Sequence, residues 1–267
     1  PNAHLCCALD AMCHPHAIHA PACGIIKTCR GSKCRRAVHT KQPGRSMDAT
    51  AIILAAGEGT RMKSNHAKVS HKILGKPMIN WIVDATIAAG CNRVIVVVGS
   101  HADEVRALLQ DTYANSPITV ETVEQVERLG TGHAVKVAIE ACGIENGPVV
   151  VLNGDLPLIQ ADTVAKFAQT VDGGTYAAAA LTFTPPESFG YGRIELDEGG
   201  SIARIIEQKD CTPEQSETLL ECNAGCYAFD GAQLKQHIGE ITNDNAQSEY
   251  YLPDMLEILK SAGQAVT

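Results

Sequence analysis

Short apolar runs alternate with helical stretches through the middle of this chain, and that alternation narrows the fold more than any other feature. Residues 49–54, 93–98, 118–122 and 148–152 are rich in Val, Ile and Thr, the pattern of strands buried in a sheet. Residues 78–89, 102–110, 131–142 and 161–171 read as helices. Pro77 precedes the first of these and Gly90 stands as its C-terminal cap. A β-α-β-α-β-α-β order calls for a mainly parallel sheet with helices on both faces, a Rossmann-like three-layer α/β fold. After Asp172 the pattern shortens. Residues 175–182, 192–196, 202–207 and 223–229 read as strands, and helices at 231–238 and 247–261 close the chain. The second half is expected to add a mixed sheet over the C-terminal edge of the first. Ligands in such folds sit outside the carboxyl ends of the strands.

The first 46 residues are of another kind. They hold six of the eleven Cys, five of the ten His and seven Lys/Arg against one acid, Asp10, with no Phe, Trp or Tyr. No pair of metal-ligand units with a spacer appears, which argues against a zinc module. The segment is poor in Ser and not amphipathic, which argues against a transit peptide. We read residues 1–46 as a disordered or non-native leader and residues 47–267 as one domain. Nearly all the acids fall in that domain, so it is not built to neutralise a nucleic-acid backbone. No apolar run approaches the roughly 18 residues of a membrane span. The scattered cysteines of the body read as reduced thiols of a cytoplasmic protein.

The first strand runs straight into Leu54-Ala55-Ala56-Gly57-Glu58-Gly59-Thr60-Arg61-Met62. Gly57 and Gly59 let the backbone turn and bring successive N–H groups toward phosphate oxygens. Ala55 and Ala56 leave room for a flat base. Arg61 and Lys68 follow, a fork and a point charge within reach of a triphosphate. The loop is neither a Walker motif nor G-x-G-x-x-G. A plain strand-to-helix turn would explain the glycines alone; the two cations favour phosphate binding. Gln125 stands before Leu129-Gly130-Thr131-Gly132-His133-Ala134. It can offer an acceptor and a donor to a base edge, while Thr131 could equally cap the helix. His133 reads as structural. Asp155, in Asn153-Gly154-Asp155-Leu156-Pro157, ends the fourth strand at the ligand edge and suits Mg²⁺, which takes hard oxygen ligands alongside phosphate.

These motifs resemble the signature of the sugar-1-phosphate nucleotidylyltransferases: L-A-A-G-x-G-T-R-M, then K-V-x-H-K-I-x-G-K-P-M from Lys68 to Met78. Asn243-Asp244-Asn245-Ala246-Gln247-Ser248-Glu249-Tyr250-Tyr251 is similar to a stretch of the N-acetylglucosamine-1-phosphate uridyltransferases, with Ser248 in place of Gly. The resemblance covers about residues 49–267. It implies a nucleotidyltransferase that moves UMP from UTP to N-acetylglucosamine 1-phosphate, giving UDP-N-acetylglucosamine and pyrophosphate for the cell envelope. It further implies that Leu54, Ala55, Ala56, Gly57, Gly59, Lys68, Gln125, Gly130 and Thr131 bind the nucleotide, with Gln125 and the neighbouring Gly reading uracil. Arg61 and Lys68 would stabilise the triphosphate, and Asp155 and Asn245 would hold Mg²⁺. Asn153, Gly192, Glu207, Asn223 and Asn245 would meet the sugar phosphate, although Asn153 stands where the family usually carries an aromatic. Another base or sugar, or a non-catalytic sugar-nucleotide sensor, are the rival readings. Family members often continue into a β-helix that carries an acetyltransferase and trimer contacts. No hexapeptide repeat appears in this chain, so that activity is not expected from it; a homo-oligomer is left open, as a trimer where the β-helix is present.

Overall fold

The computed structural model describes residues 47–59 and 62–267. The expected leader, Arg61 and Thr60 lie outside the described residues.

Strand β1 (Met47–Ala55) lies inside the sheet. It pairs in parallel with β4 (Cys91–Val98) on one side and β6 (Pro148–Asn153) on the other. β5 (Thr119–Glu124) adds to β4, again in parallel. Two-residue strands β2 (Lys72–Ile73) and β3 (Lys76–Pro77) form a separate hairpin. Side chains of β1 alternate between two cores, with Ile52 facing one and Ile53 the other. Both are fully buried, which is why β1 reads as a continuous apolar run.

Helices cover both faces, as expected. α1 (Met78–Ala89), α2 (Ala102–Tyr113) and α4 (Ala161–Val171) pack on the Ile53 face through Ile79, Ile82, Val105, Leu109 and Val164. α3 (Thr131–Cys142) packs on the Ile52 face through Val135 and Ile139. α1 stops at Gly90, whose φ of 97° closes the last turn. No described helix is long and apolar enough to cross a membrane.

The second half continues the same sheet. β7 (Ala178–Phe183) runs along one edge of β10 (Cys222–Asp230). The other edge of β10 is divided: Tyr227–Asp230 pair antiparallel with β6, while Cys222 pairs with β8 (Arg193–Leu196), which in turn pairs with β9 (Ile202–Ile206). The register of β10 slips between Asn223 and Tyr227. At that slip β6 and β8 part, and a gap opens at the carboxyl end of β6. A short helix α5 (Pro213–Thr218) carries a full capping box from Thr212 and Gln215. α6 (Gly231–His237) and α7 (Asp254–Ser261) join α3 on the Ile52 face through Leu234, Met255 and Leu256.

The last helix corrects the expectation of a start at 247. It begins at Asp254, after Pro253. Residues 250–252 instead dock on the start of α3: Tyr250 N–H donates to the Leu129 carbonyl at 2.7 Å and its carbonyl accepts from Gly132 N–H at 2.7 Å. Those backbone groups are therefore unavailable to a helix, and Pro253 could not continue one through its missing N–H.

Phe229 of β10 is fully buried and stacks on Tyr227 with 6.0 Å between ring centroids. Because this strand joins the two halves, Phe229→Ala should cost about 3–5 kcal/mol of stability. Urea denaturation followed by circular dichroism measures it.

Candidate functional site

Two cavities lie at the carboxyl ends of β1 and β6, one of about 790 Å³ and one of about 490 Å³. Leu54, Thr131, Asn153, Asp155 and Glu249 line both, so the two form lobes of one site.

The larger lobe is built on the glycine-rich loop. Leu54, Ala55, Ala56, Gly57 and Gly59 all line it, with Lys68, Gln125, Gly130 and Thr131. Gly59 has φ 61°, and a Cβ there would lie 2.8 Å from Lys68 Cβ, so the loop and the Lys68 turn need this glycine to pack. Lys68 opens a one-turn 3₁₀ helix, Lys68–Ser70. Glu104 of α2 holds that turn: it accepts from Ala67 N–H at 2.9 Å, Ser70 Oγ at 2.7 Å and His66 Nδ1 at 3.1 Å. Burial alone would raise the Glu104 pKa, but these hydrogen bonds outweigh it and hold the carboxylate below its usual range. From the turn, the Lys68 ammonium donates to Asp155. Both side chains are somewhat over one-third exposed, so this pair adds little stability.

Gln125 is 4% exposed. Its Nε2 donates to the Gly130 carbonyl at 3.1 Å and meets His133 Nδ1 at 3.0 Å. The carbonyl can only accept, which fixes the amide with its nitrogen inward and makes His133 Nδ1 the second acceptor. No hydrogen bond from the described residues reaches Gln125 Oε1, so the amide offers this lobe an acceptor alone. His133 thereby orients Gln125. Thr131 does not cap α3. Gly130 occupies the N-cap, and Thr131 Oγ1 accepts from Leu252 N–H at 3.0 Å because the docked 250–252 segment competes for it. One pair was not foreseen: Arg128 meets Glu58 at 2.7 Å, and both line this lobe. Arg128 precedes Gly130 by two residues, but no spacing rule joins it to Glu58.

The smaller lobe occupies the gap where β6 and β8 part. Asn153, Gly192, Glu207 and Asn223 all line it. A Cβ on Gly192 would lie 3.0 Å from Glu207 Oε1, so glycine lets the carboxylate approach the backbone. Asn223 builds the bulge: its Oδ1 accepts from Gly225 N–H at 2.9 Å and its Nδ2 donates to Tyr227 OH at 2.6 Å. Asn153 Nδ2 donates to the Gly225 carbonyl at 3.1 Å, so it too shapes the lobe. Glu207 has no ion-pair partner among the described residues. Burial first, then the charge of Asp210, raise its pKa above the usual range.

Asn245 stands apart. It lines neither lobe. Its Oδ1 accepts from Gln247 and Glu249 N–H, each at 3.2 Å, and its Nδ2 donates to the Glu249 carbonyl at 2.6 Å. Both lone pairs of Oδ1 are thereby used, and the side chain closes the turn that delivers Glu249 to the site. Nor does Asn245 open the last helix. Among the residues lining both lobes, the carboxylates of Asp155 and Glu249 are the oxygen donors that could hold Mg²⁺. That fits an ion completed by water and phosphate. No group of three or more His, Cys, Asp or Glu placed to hold a metal occurs among the described residues.

The raised Glu207 pKa carries a stability consequence. The folded state holds a proton that the unfolded state releases near pH 4.5, so stability falls as pH rises from there through the folded pKa. Glu207→Gln removes this loss. The variant should melt higher than wild type at pH 8 and lose that advantage at pH 4, as thermal scans at the two pH values will read.

Comparison with known proteins follows the same lines. The family model described as the MobA-like NTP transferase domain matches residues 51–193. The bifunctional protein GlmU of Clostridium novyi (strain NT) is 42% identical over 217 residues, 81% of this chain and 46% of that protein. GlmU of Lactococcus lactis subsp. lactis is 42% identical over 220 residues, 82% of this chain and 46% of its own. The chain thus spans about half the length of the curated relatives it matches. A crystal structure of UDP-glucose pyrophosphorylase complexed with UDP-glucose superposes with a TM-score of 0.63 at 19% identity, covering 82% of this chain and 89% of that one, which shows the shared fold. The matched segment is more than half of the chain, runs from β1 to the first residue of β8 and includes Leu54, Thr131, Asn153 and Asp155 of the wall shared by the lobes: this protein belongs to the MobA-like NTP transferase family.

Proposed function

We propose that the chain transfers UMP from UTP to N-acetylglucosamine 1-phosphate, releasing pyrophosphate. The observation that carries this reading is the pair of lobes meeting at Asp155. A transfer between two substrates needs two adjoining compartments with the reacting phosphates at their junction. The larger lobe suits the nucleotide. Its small residues Ala55 and Ala56 leave a flat slot, and the Gly57–Gly59 backbone can approach phosphates closely. Gln125 Oε1, an acceptor without a donor beside it, matches the N3–H of uracil. The same atom of cytosine carries a lone pair and would be repelled. The smaller lobe suits a sugar, with Glu207 as acceptor for hydroxyls and Gly192 leaving room beside it.

The chemistry asks little of the protein's acids and bases. The attacking group is already a phosphate oxyanion, so no residue needs to remove a proton. The chain's part is to align an in-line attack on the α-phosphorus and to offset charge. Lys68 stands at the junction and can leave Asp155 for the triphosphate. Arg61 is assigned to the same phosphates from its place in the loop motif. Asp155, with Glu249 near it, would hold Mg²⁺, which when bound neutralises charge between the two phosphates. Asn245 supports the site by shaping the turn that carries Glu249.

Two measurements test the reading. Pyrophosphate release from UTP and N-acetylglucosamine 1-phosphate should require Mg²⁺ and stop in chelator, and Asp155→Asn should lower turnover about 10²–10³-fold at unchanged melting temperature. Near-normal activity of that variant would overturn the role of Asp155. Gln125→Ala should weaken discrimination of UTP over CTP by about 1–3 kcal/mol. An equal loss with every nucleotide would show that Gln125 does not read the base.

A further inference from the structure

Arg193 is the largest fully buried side chain of the described residues, at 1% exposure, and no carboxylate pairs with it. A buried guanidinium is costly unless its donors are satisfied. Here it relies on neutral oxygens. One NH₂ group donates to the Tyr191 carbonyl and the other to Gln208 Oε1 at 2.9 Å, while Nε finds no partner. Gln208 Oε1 also accepts from Gly190 N–H at 3.0 Å, so one oxygen serves two donors. Its amide nitrogen reaches Ser216 Oγ on α5 at 3.4 Å.

These bonds converge on one place. They fix the backbone of Gly190 and Tyr191, the two residues before Gly192, from the side away from the cavity. Gln208 is the neighbour of Glu207. Gly192 and Glu207 are the facing pair whose approach glycine permits. Arg193 and Gln208 themselves line neither cavity. Their bonds tie the start of β8 to the end of β9, and the spacing between Gly192 and Glu207 depends on that tie.

We propose that Arg193 and Gln208 are positioning residues that set the width of the smaller lobe between Gly192 and Glu207, and with it the affinity for the sugar phosphate. This rests on the assignment of that lobe to the sugar. Only a fork can span the two acceptors, so Lys at 193 would reach one and lose the other. The nucleotide lobe lies across Asp155 and shares none of these bonds.

The test uses the full chain and the half-buried partner, since Arg193→Ala would leave a core cavity. Gln208→Met keeps the volume and removes the acceptor; Gln208→Glu keeps an acceptor oxygen. KM for N-acetylglucosamine 1-phosphate and for UTP, kcat and melting temperature are measured for both variants. Gln208→Met should raise the sugar-phosphate KM about tenfold, as expected for loss of a charge-assisted hydrogen bond, with the UTP KM held and the melting temperature lowered, because the buried guanidinium loses an acceptor. Gln208→Glu should restore the wild-type sugar-phosphate KM. An unchanged sugar-phosphate KM in Gln208→Met overturns the clamp, as do equal rises in both KM values or a Gln208→Glu variant as impaired as Gln208→Met. A wild-type chain that releases no pyrophosphate with this sugar overturns the function and the clamp together, so the two failures are told apart by the wild-type lane.

Discussion

One edge of β10 is asked to pair with two strands, and the site exists because it cannot hold both side by side. β6 takes Tyr227–Asp230 and β8 takes Cys222. Between them the bulge at Asn223–Tyr227 leaves backbone groups without a strand partner. Those groups must find other bonds, and the asparagines supply them: Asn223 closes on Gly225 N–H, and Asn153 reaches the Gly225 carbonyl. Two side chains that read from sequence as sugar ligands are therefore also what keeps the gap open. The gap falls at the carboxyl end of a buried parallel strand, where Asp155 emerges, so the second compartment adjoins the first as a consequence of topology.

Around that junction the turns are held by groups distant in sequence. Glu104 fixes the Lys68 turn from α2, and Gln125 is fixed by Gly130 and His133. The docked segment at Tyr250 seals the start of α3 and brings Glu249 to the wall shared by the lobes. Each device uses neutral hydrogen bonds or a half-exposed carboxylate to place a group and leaves the working atom free. Among the described residues, Oε1 of Gln125 and the carboxylates of Glu207 and Glu249 are acceptors left over by this arrangement.

Much of this was legible from residues alone, for reasons that differ by element. α1, α3 and α4 begin and end where expected because local signals set their ends: Pro77 and Gly90 for α1, Gly130 and Gly143 for α3. The parallel strands were visible because burial on both faces leaves little room for polar residues. The start of α7 was missed because its competitor, the pairing of Tyr250 with Leu129 and Gly132, lies some 120 residues away. The same long-range contact took Thr131 from its expected capping role. Of the site, the glycine-rich loop, Gln125, Asp155, Gly192, Glu207 and Asn223 could be found by motif. The supports Glu104 and Arg128 could not, since ion pairs and hydrogen bonds across 37 or 70 residues leave no periodicity. Asn245 belongs to both groups: its motif was visible, and its commitment to its own turn was not.

Under the proposed reaction, the Lys68–Asp155 pair explains how one wall would serve substrates that carry only negative charge. Asp155 alone would repel phosphate, and Lys68 alone would hold it in place. Paired, and both partly open to solvent, they cancel at short range while gaining little from each other. A pair of that kind is cheap to separate. In the proposed reaction an arriving triphosphate offers Lys68 a stronger partner, and the freed carboxylate then faces the junction as an oxygen donor for a divalent cation. A buried pair would resist that exchange by several kcal/mol, because separating it leaves desolvated charges. In that proposal, the exposure of Lys68 and Asp155 is what would let the same two side chains rest as an ion pair and work apart.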